Sequence, residues 1–225
     1  MYKNIQIIKT KDGSHTLFVP ELNEHYHSIY GAVQESMHIF IDACFRYQNN
    51  NLGEIDVLEI GFGTGLNALL TFVESKKSKQ TINYTSIEAF PLEKEVYENI
   101  NYPGIIQNKN LNPIFLKMHE AEWDKFKKIS ENFNLKKIHQ KLEDIVLPKY
   151  KYDRVYFDAF SPDVQPGLWT ENIFKKIAYS MKKKGILTTY SAKGKVKRAL
   201  NASGFTVENI SGPPGKREIT RASLK

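Results

Sequence analysis

The sequence predicts an α/β fold with a mostly parallel central sheet, and three observations support this prediction. Short apolar runs typical of buried strands alternate with longer amphipathic runs typical of helices. One apolar run, residues 56–60, ends at the alternating glycines Gly61, Gly63 and Gly65, after which a helical pattern begins. The last two apolar runs have no helical pattern between them. The alternation indicates parallel strands joined by right-handed crossovers, whereas the last two strands must form an antiparallel hairpin.

The composition is that of one globular domain with embellishments. The chain has 225 residues, of which 41% are hydrophobic and 25% charged. A single cysteine, Cys44, excludes an internal disulfide and favours a reducing, cytoplasmic setting. We expect neither a signal peptide nor a membrane helix, because no apolar run reaches spanning length. The net charge of +7 favours a polyanionic partner, although a genome bias toward lysine would produce it equally well.

The chain ahead of the glycine turn predicts a small accessory element. Two strand-like runs within residues 4–20 flank Lys11-Asp12-Gly13, and Asp-Gly is a strong signal for a β-hairpin. A helical pattern then follows Gly31. The intervening His25 and His27 do not have the spacing of a closed zinc site, so we expect no metal. A segment that covers a bound ligand is the preferred interpretation.

The glycine turn itself predicts a nucleotide-type ligand. Glycines allow the backbone to turn sharply and a ligand to approach closely, and the following helix start offers unpaired N–H groups. A dinucleotide-binding turn has the pattern G-x-G-x-x-G/A, whereas here Gly65 comes one step too early. A second strand-like run ends at Glu88, about twenty residues after the turn, where a carboxylate can accept hydrogen bonds from both ribose hydroxyls of an adenosine.

The rest of the chain continues the alternation of strands and helices. We expect a helix at 91–100, a turn at 102–104, and short helices over 114–129 with Trp123 and Phe126 facing inward. Strands are predicted at 133–138, 155–158 and 186–190, with a helix that ends at Gly185 before the last of them. A further helix runs from 193 to 200, and the closing strands lie at 204–207 and 217–220.

Acidic residues at the ends of the later strands are candidates for the ligand site. Because the carboxyl ends of parallel strands meet at one edge, the glycine turn, Glu88 and Asp158 should converge. The acceptor of any transferred group should approach over Asp158. The aromatic residues Phe160 and Trp169 follow it and would serve either as core anchors or as surfaces on which a base stacks.

The glycine turn, with Glu59 two residues ahead of its first glycine, resembles motif I of class I S-adenosylmethionine (AdoMet) methyltransferases. That resemblance implies a Rossmann-like fold in which the acidic residue approaches the cofactor's ammonium group. It also places an acid after the third strand near the adenine amino group. Both Glu143 and Asp144 are available for that contact, and the sequence does not choose between them.

Longer strings resemble one family within this class, the methyltransferase domain of the bifunctional MnmC proteins and its stand-alone form, MnmD. The matching strings extend over nearly the whole chain. They lie at 25–36, 59–67, 158–170 and 212–218, the last reading Gly-Pro-Pro-Gly-Lys-Arg-Glu. The family implies transfer of a methyl group from AdoMet to the primary amine of 5-aminomethyl-2-thiouridine at the tRNA wobble position, giving 5-methylaminomethyl-2-thiouridine.

The resemblance also implies roles for individual residues. The AdoMet site would be lined by Tyr26, Glu59, Gly61, Gly63, Gly65, Asn67 and Glu88. Asp158 would lie between cofactor and substrate as the catalytic residue, with Phe160, Ser161, Pro162 and Trp169 on the side of the base. Candidates for contacts with phosphates of the anticodon stem-loop are Lys193, Lys216 and Arg217. Residues 1–50 would form the extension that covers the cofactor, and residues 51–225 the methyltransferase domain.

Two departures from the family pattern affect what we expect. Bifunctional members carry an FAD-dependent oxidase domain that produces the amine, and a chain ending at Lys225 has no room for one. We therefore expect AdoMet but no FAD, and an amine supplied by separate enzymes. A Gly-Asp pair expected near the third strand is replaced by Leu142-Glu143-Asp144.

Two other functions fit part of the pattern. Spermidine synthases share the fold and have an acidic loop after the fourth strand, so a small-molecule methyl- or aminopropyltransferase is the alternative enzyme. The loop after Asp158 is largely apolar, however, whereas a polyamine pocket is usually more acidic. A nucleic-acid-binding domain without catalysis is the third possibility, and the acids Glu59, Glu88 and Asp158 argue against it.

Overall fold

The computed structural model describes residues 2–47, 53–77, 80–106 and 111–224. The chain begins with a small antiparallel sheet whose strands are β1 (Gln6–Lys9), β2 (His15–Val19) and β3 (Glu24–His25). The predicted N-terminal hairpin is confirmed by the pairing of β1 with β2, and β3 adds a third strand.

The helix predicted after Gly31 has two parts. Helix α1 (Ala32–Ser36) continues directly into a π-type helix at Met37–Phe45. The wider turn shows at its end, where the Arg46 N–H donates to the Ile41 carbonyl five residues back, at 2.9 Å. Ile39 and Phe40 of the π-type helix are buried, so the N-terminal region shares the main hydrophobic core.

The central sheet has eight strands in the order β10-β11-β9-β8-β4-β5-β7-β6. Five neighbouring strands, β9 to β7 in that order, are parallel, whereas β6 and β11 are antiparallel to the strands they join and β10 is antiparallel to β11. The strands are β4 (Glu54–Ile60), β5 (Thr81–Glu88), β6 (Phe126–Ser130), β7 (Phe133–His139), β8 (Tyr152–Phe157), β9 (Met181–Thr189), β10 (Phe205–Ser211) and β11 (Glu218–Leu224). The predicted parallel sheet with a terminal antiparallel hairpin is thereby confirmed.

Both faces of the sheet are covered. Successive strand residues point to opposite faces, so Val57 joins one hydrophobic core and Leu58 the other. The π-type helix packs on the first face with α2 (Leu66–Ser75) and α5 (Leu111–Glu120), while α6 (Glu171–Ser180) and α7 (Gly194–Ala202) pack on the second. Short helical turns complete the described elements: α3 (Lys94–Tyr97), α4 (Tyr102–Ile105) and a 3₁₀ turn at Pro166–Trp169.

The region after α5 differs from the sequence prediction. We expected helices through Ile129 with Phe126 inward, but Phe126 begins the edge strand β6 and is 61% exposed. The strand pairs with β7, and the Lys136 ammonium group lies 5.4 Å from the Phe126 ring centroid. A short apolar run does not distinguish a helix from an edge strand, and here pairing with β7 decides.

Other boundaries of helices and turns also differ from the sequence prediction. Helix α3 covers only the middle of the expected 91–100 helix, and the expected turn at 102–104 lies within helical turn α4. Helix α6 ends at Ser180, and Gly185 lies inside β9, where the pairing with β8 shifts register. A Cβ at Gly185 would lie 2.9 Å from the Lys182 carbonyl oxygen, so a glycine is needed at this irregularity of strand β9. Gly185 does not end a helix.

No helix in the described part of the chain has the length and apolar character needed to span a membrane.

Candidate cofactor and acceptor site

A cavity of about 680 Å³ opens at the carboxyl ends of the parallel strands. Its walls are the loops that follow β4, β5, β7 and β8, together with N-terminal residues 24–30. Ligands of open α/β sheets bind at this edge, and the volume is within the roughly 300–1,000 Å³ of small-molecule sites. The convergence predicted for the glycine turn, Glu88 and Asp158 is therefore observed.

The glycine turn runs in close contact with its neighbours. Gly61 has a φ of 92°, and a Cβ there would lie 2.7 Å from the Asp158 carbonyl oxygen. Gly63 has a φ of 47°, and a Cβ would lie 3.1 Å from the Tyr26 ring. Both line the cavity, whereas Gly65 lies behind it as the residue that precedes α2. Absence of a side chain thus brings the turn against both the Asp158 loop and the N-terminal segment.

The buried His27 and the half-buried His119 hold Thr64 at the centre of the turn. Nε2 of His27 lies 2.9 Å from the Thr64 hydroxyl, and Nε2 of His119 donates to the Thr64 carbonyl at 3.1 Å. Burial lowers the pKa of His27 to about 4 and that of His119 to about 3, so both are neutral near pH 7. The part that His119 plays could not be found from the sequence, because its contact spans 55 residues.

The described residues contain no group of three or more histidine, cysteine or acidic side chains suited to a metal ion.

Glu88 anchors the turn from the end of β5. Its Oε2 accepts from the Gly63 N–H at 2.9 Å and its Oε1 from the Phe90 N–H at 2.8 Å. Burial raises its pKa, while these backbone donors act in the opposite direction. The side chain lines the cavity, and a carboxylate oxygen can accept more than one hydrogen bond.

Asp158 lies at the end of β8, against the other side of the turn. Its Oδ2 accepts from the Asn67 side-chain amide at 2.8 Å. Burial is the main cause that raises the pKa of Asp158 to about 7, the charge of Glu35 adds to it, and Lys216 opposes it. A carboxyl group with this pKa can change its protonation state near neutral pH, as proton-accepting groups in active sites do.

An aromatic wall lines the same cavity as Asp158. The ring centroids of Tyr26 and Phe160 are 5.0 Å apart, and those of Tyr2 and Phe160 are 5.9 Å apart, both edge to face. Tyr2 also lies 5.1 Å from Phe90. All four side chains line the cavity. The sequence prediction included Tyr26 and Phe160 but missed Tyr2 and Phe90, which carry no motif.

Several predicted site residues lie outside the cavity. Trp169 is 4% exposed and packs on Phe157, while its indole N–H donates to the Phe160 carbonyl at 2.9 Å. It is therefore a core residue that supports the Phe160 loop, and its ring is not available to stack on a base. Glu59 is fully buried behind the glycine turn. Of the two candidates for the adenine contact, Glu143 lines the cavity and Asp144 does not.

The residues predicted to contact phosphate groups line a second cleft. A second cleft of about 490 Å³, lined by Pro162, Lys193 and Arg217, shares Ser161 and Lys216 with the main cavity.

The three basic residues have different partners. Lys193 pairs with Asp163, whereas Arg217 is exposed. Lys216 lies 3.5 Å from Glu35 and 4.9 Å from the centroid of the Tyr190 ring. Lys216 is thus in contact with a buried acid at the mouth of the site.

Comparison with known proteins identifies the family. Residues 108–225 match a family model described as S-adenosyl-L-methionine-dependent methyltransferase, which is more than half of the chain. The chain belongs to this family. AdoMet is accordingly its cofactor, and the chain is an enzyme of the methyltransferase class.

Curated relatives carry a more specific name. A protein of Campylobacter hominis is 31% identical over 92% of this chain, which corresponds to 31% of that protein. One of Burkholderia multivorans is 26% identical over 91% of this chain and 33% of its own length. Both are called tRNA 5-methylaminomethyl-2-thiouridine biosynthesis bifunctional protein MnmC. The chain spans about a third of the length of the curated relatives it matches.

Solved structures confirm the predicted class I methyltransferase fold. The crystal structure of MNMC2 from Aquifex aeolicus superposes with a TM-score of 0.79 at 27% identity, covering 99% of this chain and 71% of that one. Spermidine synthase from Thermotoga maritima superposes with a TM-score of 0.56 at 14% identity, covering 98% and 69%. The second likeness concerns the fold alone.

The residues of the cavity fit AdoMet. A turn that lacks Cβ atoms at two cavity-lining positions leaves room for close approach of a ligand to the backbone. Glu88 offers acceptors for ribose hydroxyls, and the partly buried aromatic side chains offer apolar surface for a ring. Helix α2 begins directly after the turn and directs its N-terminus toward this region.

Proposed function

We propose that this chain methylates the primary amine of 5-aminomethyl-2-thiouridine at the tRNA wobble position, giving 5-methylaminomethyl-2-thiouridine. The observation that carries the proposal is that Asp158 lines the cavity next to the glycine turn, together with the aromatic side chains. The names of the curated relatives support the substrate, since they refer to biosynthesis of that nucleoside in tRNA.

The chemistry requires a neutral amine. Bound AdoMet supplies an electrophilic methyl group attached to a positively charged sulfur. The amine nitrogen forms a bond to the methyl carbon while the carbon–sulfur bond breaks and its electron pair stays on sulfur. The nitrogen must also lose a proton, and Asp158, whose pKa is about 7, can accept it. Alignment of the amine by Asp158 contributes to the rate because the displacement proceeds in line.

We assign the cofactor contacts from the lining of the cavity. Glu88 accepts hydrogen bonds from the ribose hydroxyls, and Gly61 and Gly63 form the backbone floor. Glu143 is favoured over Asp144 for the adenine amino group, because only Glu143 lines the cavity. Tyr26 covers the turn, as its contact with the Gly63 position supports.

The acceptor side takes the base and the RNA backbone. Phe160 and Tyr2 offer aromatic surface beside Asp158, with Ser161 and Pro162 continuing toward the second cleft. Arg217 is the first candidate for a phosphate contact because it is exposed on the rim of that cleft. Net charge of +7 supports a polyanionic substrate such as the anticodon stem-loop.

The wider context of the reaction follows from this substrate. We infer that separate enzymes supply the aminomethyl group and that the reaction takes place in the cytoplasm, where tRNA is modified. We also infer that residues 1–50 cover the cofactor and that residues 51–225 form the methyltransferase domain. Residues 24–30 in the cavity wall support that division, and its boundary lies outside the described residues.

The decisive experiment is methyl transfer to a defined tRNA. Purified protein and labelled AdoMet are incubated with tRNA from cells that make the aminomethyl intermediate but lack the final methylation. We expect label at the wobble uridine with the wild type and with Glu122→Gln, an exposed acid paired with Lys125, and none with Asp158→Ala. Wild-type protein that leaves the wobble uridine unlabelled would refute the proposal. Turnover of putrescine with decarboxylated AdoMet would instead support the aminopropyltransferase alternative.

A further inference from the structure

The side chain of Lys216, in the turn between β10 and β11, lines the main cavity. Its ammonium nitrogen lies 3.5 Å from Glu35 Oε1 and 4.9 Å from the centroid of the Tyr190 ring. The Tyr190 hydroxyl donates to the Ala159 carbonyl at 2.9 Å, which fixes the ring beside the Asp158 loop. A carboxylate and the face of an aromatic ring together form a subsite for an ammonium group.

Glu35 needs a cation at this position. The residue is buried, with 7% of its surface exposed, and its Oε2 accepts from the Ser28 N–H at 2.8 Å. In the described part of the chain, the charged partner of Oε1 is the Lys216 ammonium group, at the long limit of a hydrogen bond. A buried carboxylate has lost its hydration, so removing its cation is costly unless another cation replaces it.

The other acids of the cavity with described hydrogen bonds have neutral partners. Glu24 accepts from the Ser161 hydroxyl at 2.8 Å, Glu88 from two backbone N–H groups, and Asp158 from a side-chain amide. Glu35 differs from them because a full positive charge lies beside one of its oxygens. Its surroundings therefore indicate a cation as the preferred partner.

The Lys216 side chain can leave Glu35 while its backbone stays in place. The Lys216 N–H donates to the Pro213 carbonyl at 2.9 Å, and Gly215 packs closely against the Tyr30 ring, so the turn is held. The side chain is 30% exposed and also lines the second cleft. A phosphate group bound in that cleft would compete with Glu35 for the ammonium group.

We propose that Glu35 and Tyr190 form the subsite for the primary ammonium group of the substrate, and that Lys216 occupies this subsite until RNA binds. The inference rests on the proposed function, since it concerns the amine of the same substrate. A primary alkylamine is mainly protonated near neutral pH, so the substrate arrives as the cation that Glu35 requires. Its ammonium group then lies in the cavity that Asp158 also lines, and Asp158 can accept the proton.

Binding of two synthetic anticodon stem-loops tests the subsite. One carries 5-aminomethyl-2-thiouridine at the wobble position, and the other has a methyl group in place of the aminomethyl group. Fluorescence anisotropy at pH 7.5 without AdoMet gives the selectivity, which is the Kd of the methyl RNA divided by that of the aminomethyl RNA. We expect a selectivity of about ten in the wild type and in Glu122→Gln, and of about one in Glu35→Gln, which lacks the charged partner.

Glutamine at position 35 keeps the size of the side chain and can still accept from the Ser28 N–H. An AdoMet Kd in Glu35→Gln equal to that of the wild type, measured by calorimetry, would show that the site is folded. A selectivity of about ten in this variant would overturn the proposal, because Asp158 alone would then recognise the amine.

Lys216→Met gives a prediction of the opposite sign. Methionine removes the resident cation and keeps an unbranched side chain, so the substrate no longer has to displace Lys216 from Glu35. We expect the selectivity to rise at least about threefold above that of the wild type. A selectivity that stays the same or falls would show an ion pair with a structural role and would overturn the proposal.

The proposed function and the amine subsite can fail separately. Methylation of tRNA by a wild type without selectivity would overturn only the subsite. Full selectivity without methyl transfer would overturn only the proposed function.

Discussion

At the scale of single residues, the site depends on an acid that folding places in an unfavourable environment for its charge. Asp158 lies against the glycine turn with one hydrogen bond from Asn67, and burial raises its pKa from 3.8 to about 7. An aspartate on the surface would be a weaker base and would remain ionised through the neutral range. The environment therefore gives Asp158 a pKa suited to exchanging a proton with an amine.

The pH dependence of catalysis should show this pKa. Asp158 accepts a proton only as the carboxylate, so we expect kcat/KM to fall as the pH decreases below about 7. Asp158→Asn should lower turnover by at least about 100-fold, since general base catalysis contributes that much or more. The measurement is methyl transfer between pH 5.5 and 8.5, with Glu122→Gln as the matched acidic control. A flat profile down to pH 5.5 would contradict the role of Asp158.

The free energy of unfolding should also depend on Asp158. It should decrease over the pH range in which catalysis increases. Because the folded state binds the Asp158 proton more tightly than the unfolded state, this residue destabilises the fold progressively as the pH rises from 3.8 to about 7. The difference corresponds to at most about 4 kcal/mol above pH 7. We therefore expect Asp158→Asn to raise the melting temperature at pH 8 and to change it little at pH 4. Unchanged or lower stability at pH 8 would contradict this prediction.

At the scale of elements, the glycine turn is held from three directions. Helix α5 provides His119, the N-terminal segment provides His27, and β5 provides Glu88. Beneath α5, the Lys137 ammonium group donates to the His119 carbonyl and lies 5.3 Å from the Phe62 ring centroid. Burial lowers the pKa of Lys137 to about 8, which still leaves the charged ammonium form predominant at pH 7. The turn is thus a fixed part of the scaffold on which a ligand can be positioned.

A methyl group on the turn should weaken cofactor binding. In Gly63→Ala the new Cβ would meet the Tyr26 ring at 3.1 Å, and the φ of 47° is unfavourable for alanine. We expect an AdoMet Kd about tenfold higher by calorimetry, corresponding to 1–2 kcal/mol of strain. Gly104→Ala is the matched control: it lies in α4 with no atom near its Cβ position, and it should bind AdoMet normally. Equal Kd values in both variants would refute the role of the turn.

At the scale of the whole molecule, the N-terminal and C-terminal regions of the chain meet beside the site. Gly215, in the turn between β10 and β11, packs against the Tyr30 ring so closely that a Cβ would lie 2.3 Å from it. Lys216 beside it pairs with Glu35 of α1. The acceptor side of the cavity is therefore assembled from residues that are about 180 positions apart in sequence.

The salt dependence of the KM for tRNA should distinguish the basic residues that contact RNA from those that do not. Phosphate contacts release counterions, so we expect the KM for tRNA to rise with ionic strength. Arg217→Ala should reduce the slope of log KM against log salt by about one, because Arg217 is exposed. Lys193→Ala should change the slope less, since Lys193 already pairs with Asp163. A slope unaffected by Arg217→Ala would remove this residue from the RNA contact.

The fold class and the positions of the principal acids at strand ends could be predicted from the sequence, and the resemblance of the glycine turn to motif I pointed to AdoMet. The fold class and the positions of these acids follow from local patterns, namely the alternation of strands and helices and the apolar runs that end in an acid. Sequence did not determine the edge strand β6, where a short apolar run fits either a helix or a strand.

Which side chains meet at the site depends on the tertiary structure. It buried Trp169 and Glu59, placed His119 against Thr64, and set Lys216 beside Glu35. These contacts join residues far apart in sequence, and no local period encodes them. Their electrostatic consequences, including the raised pKa of Asp158, depend on burial, which exists only once the chain has folded.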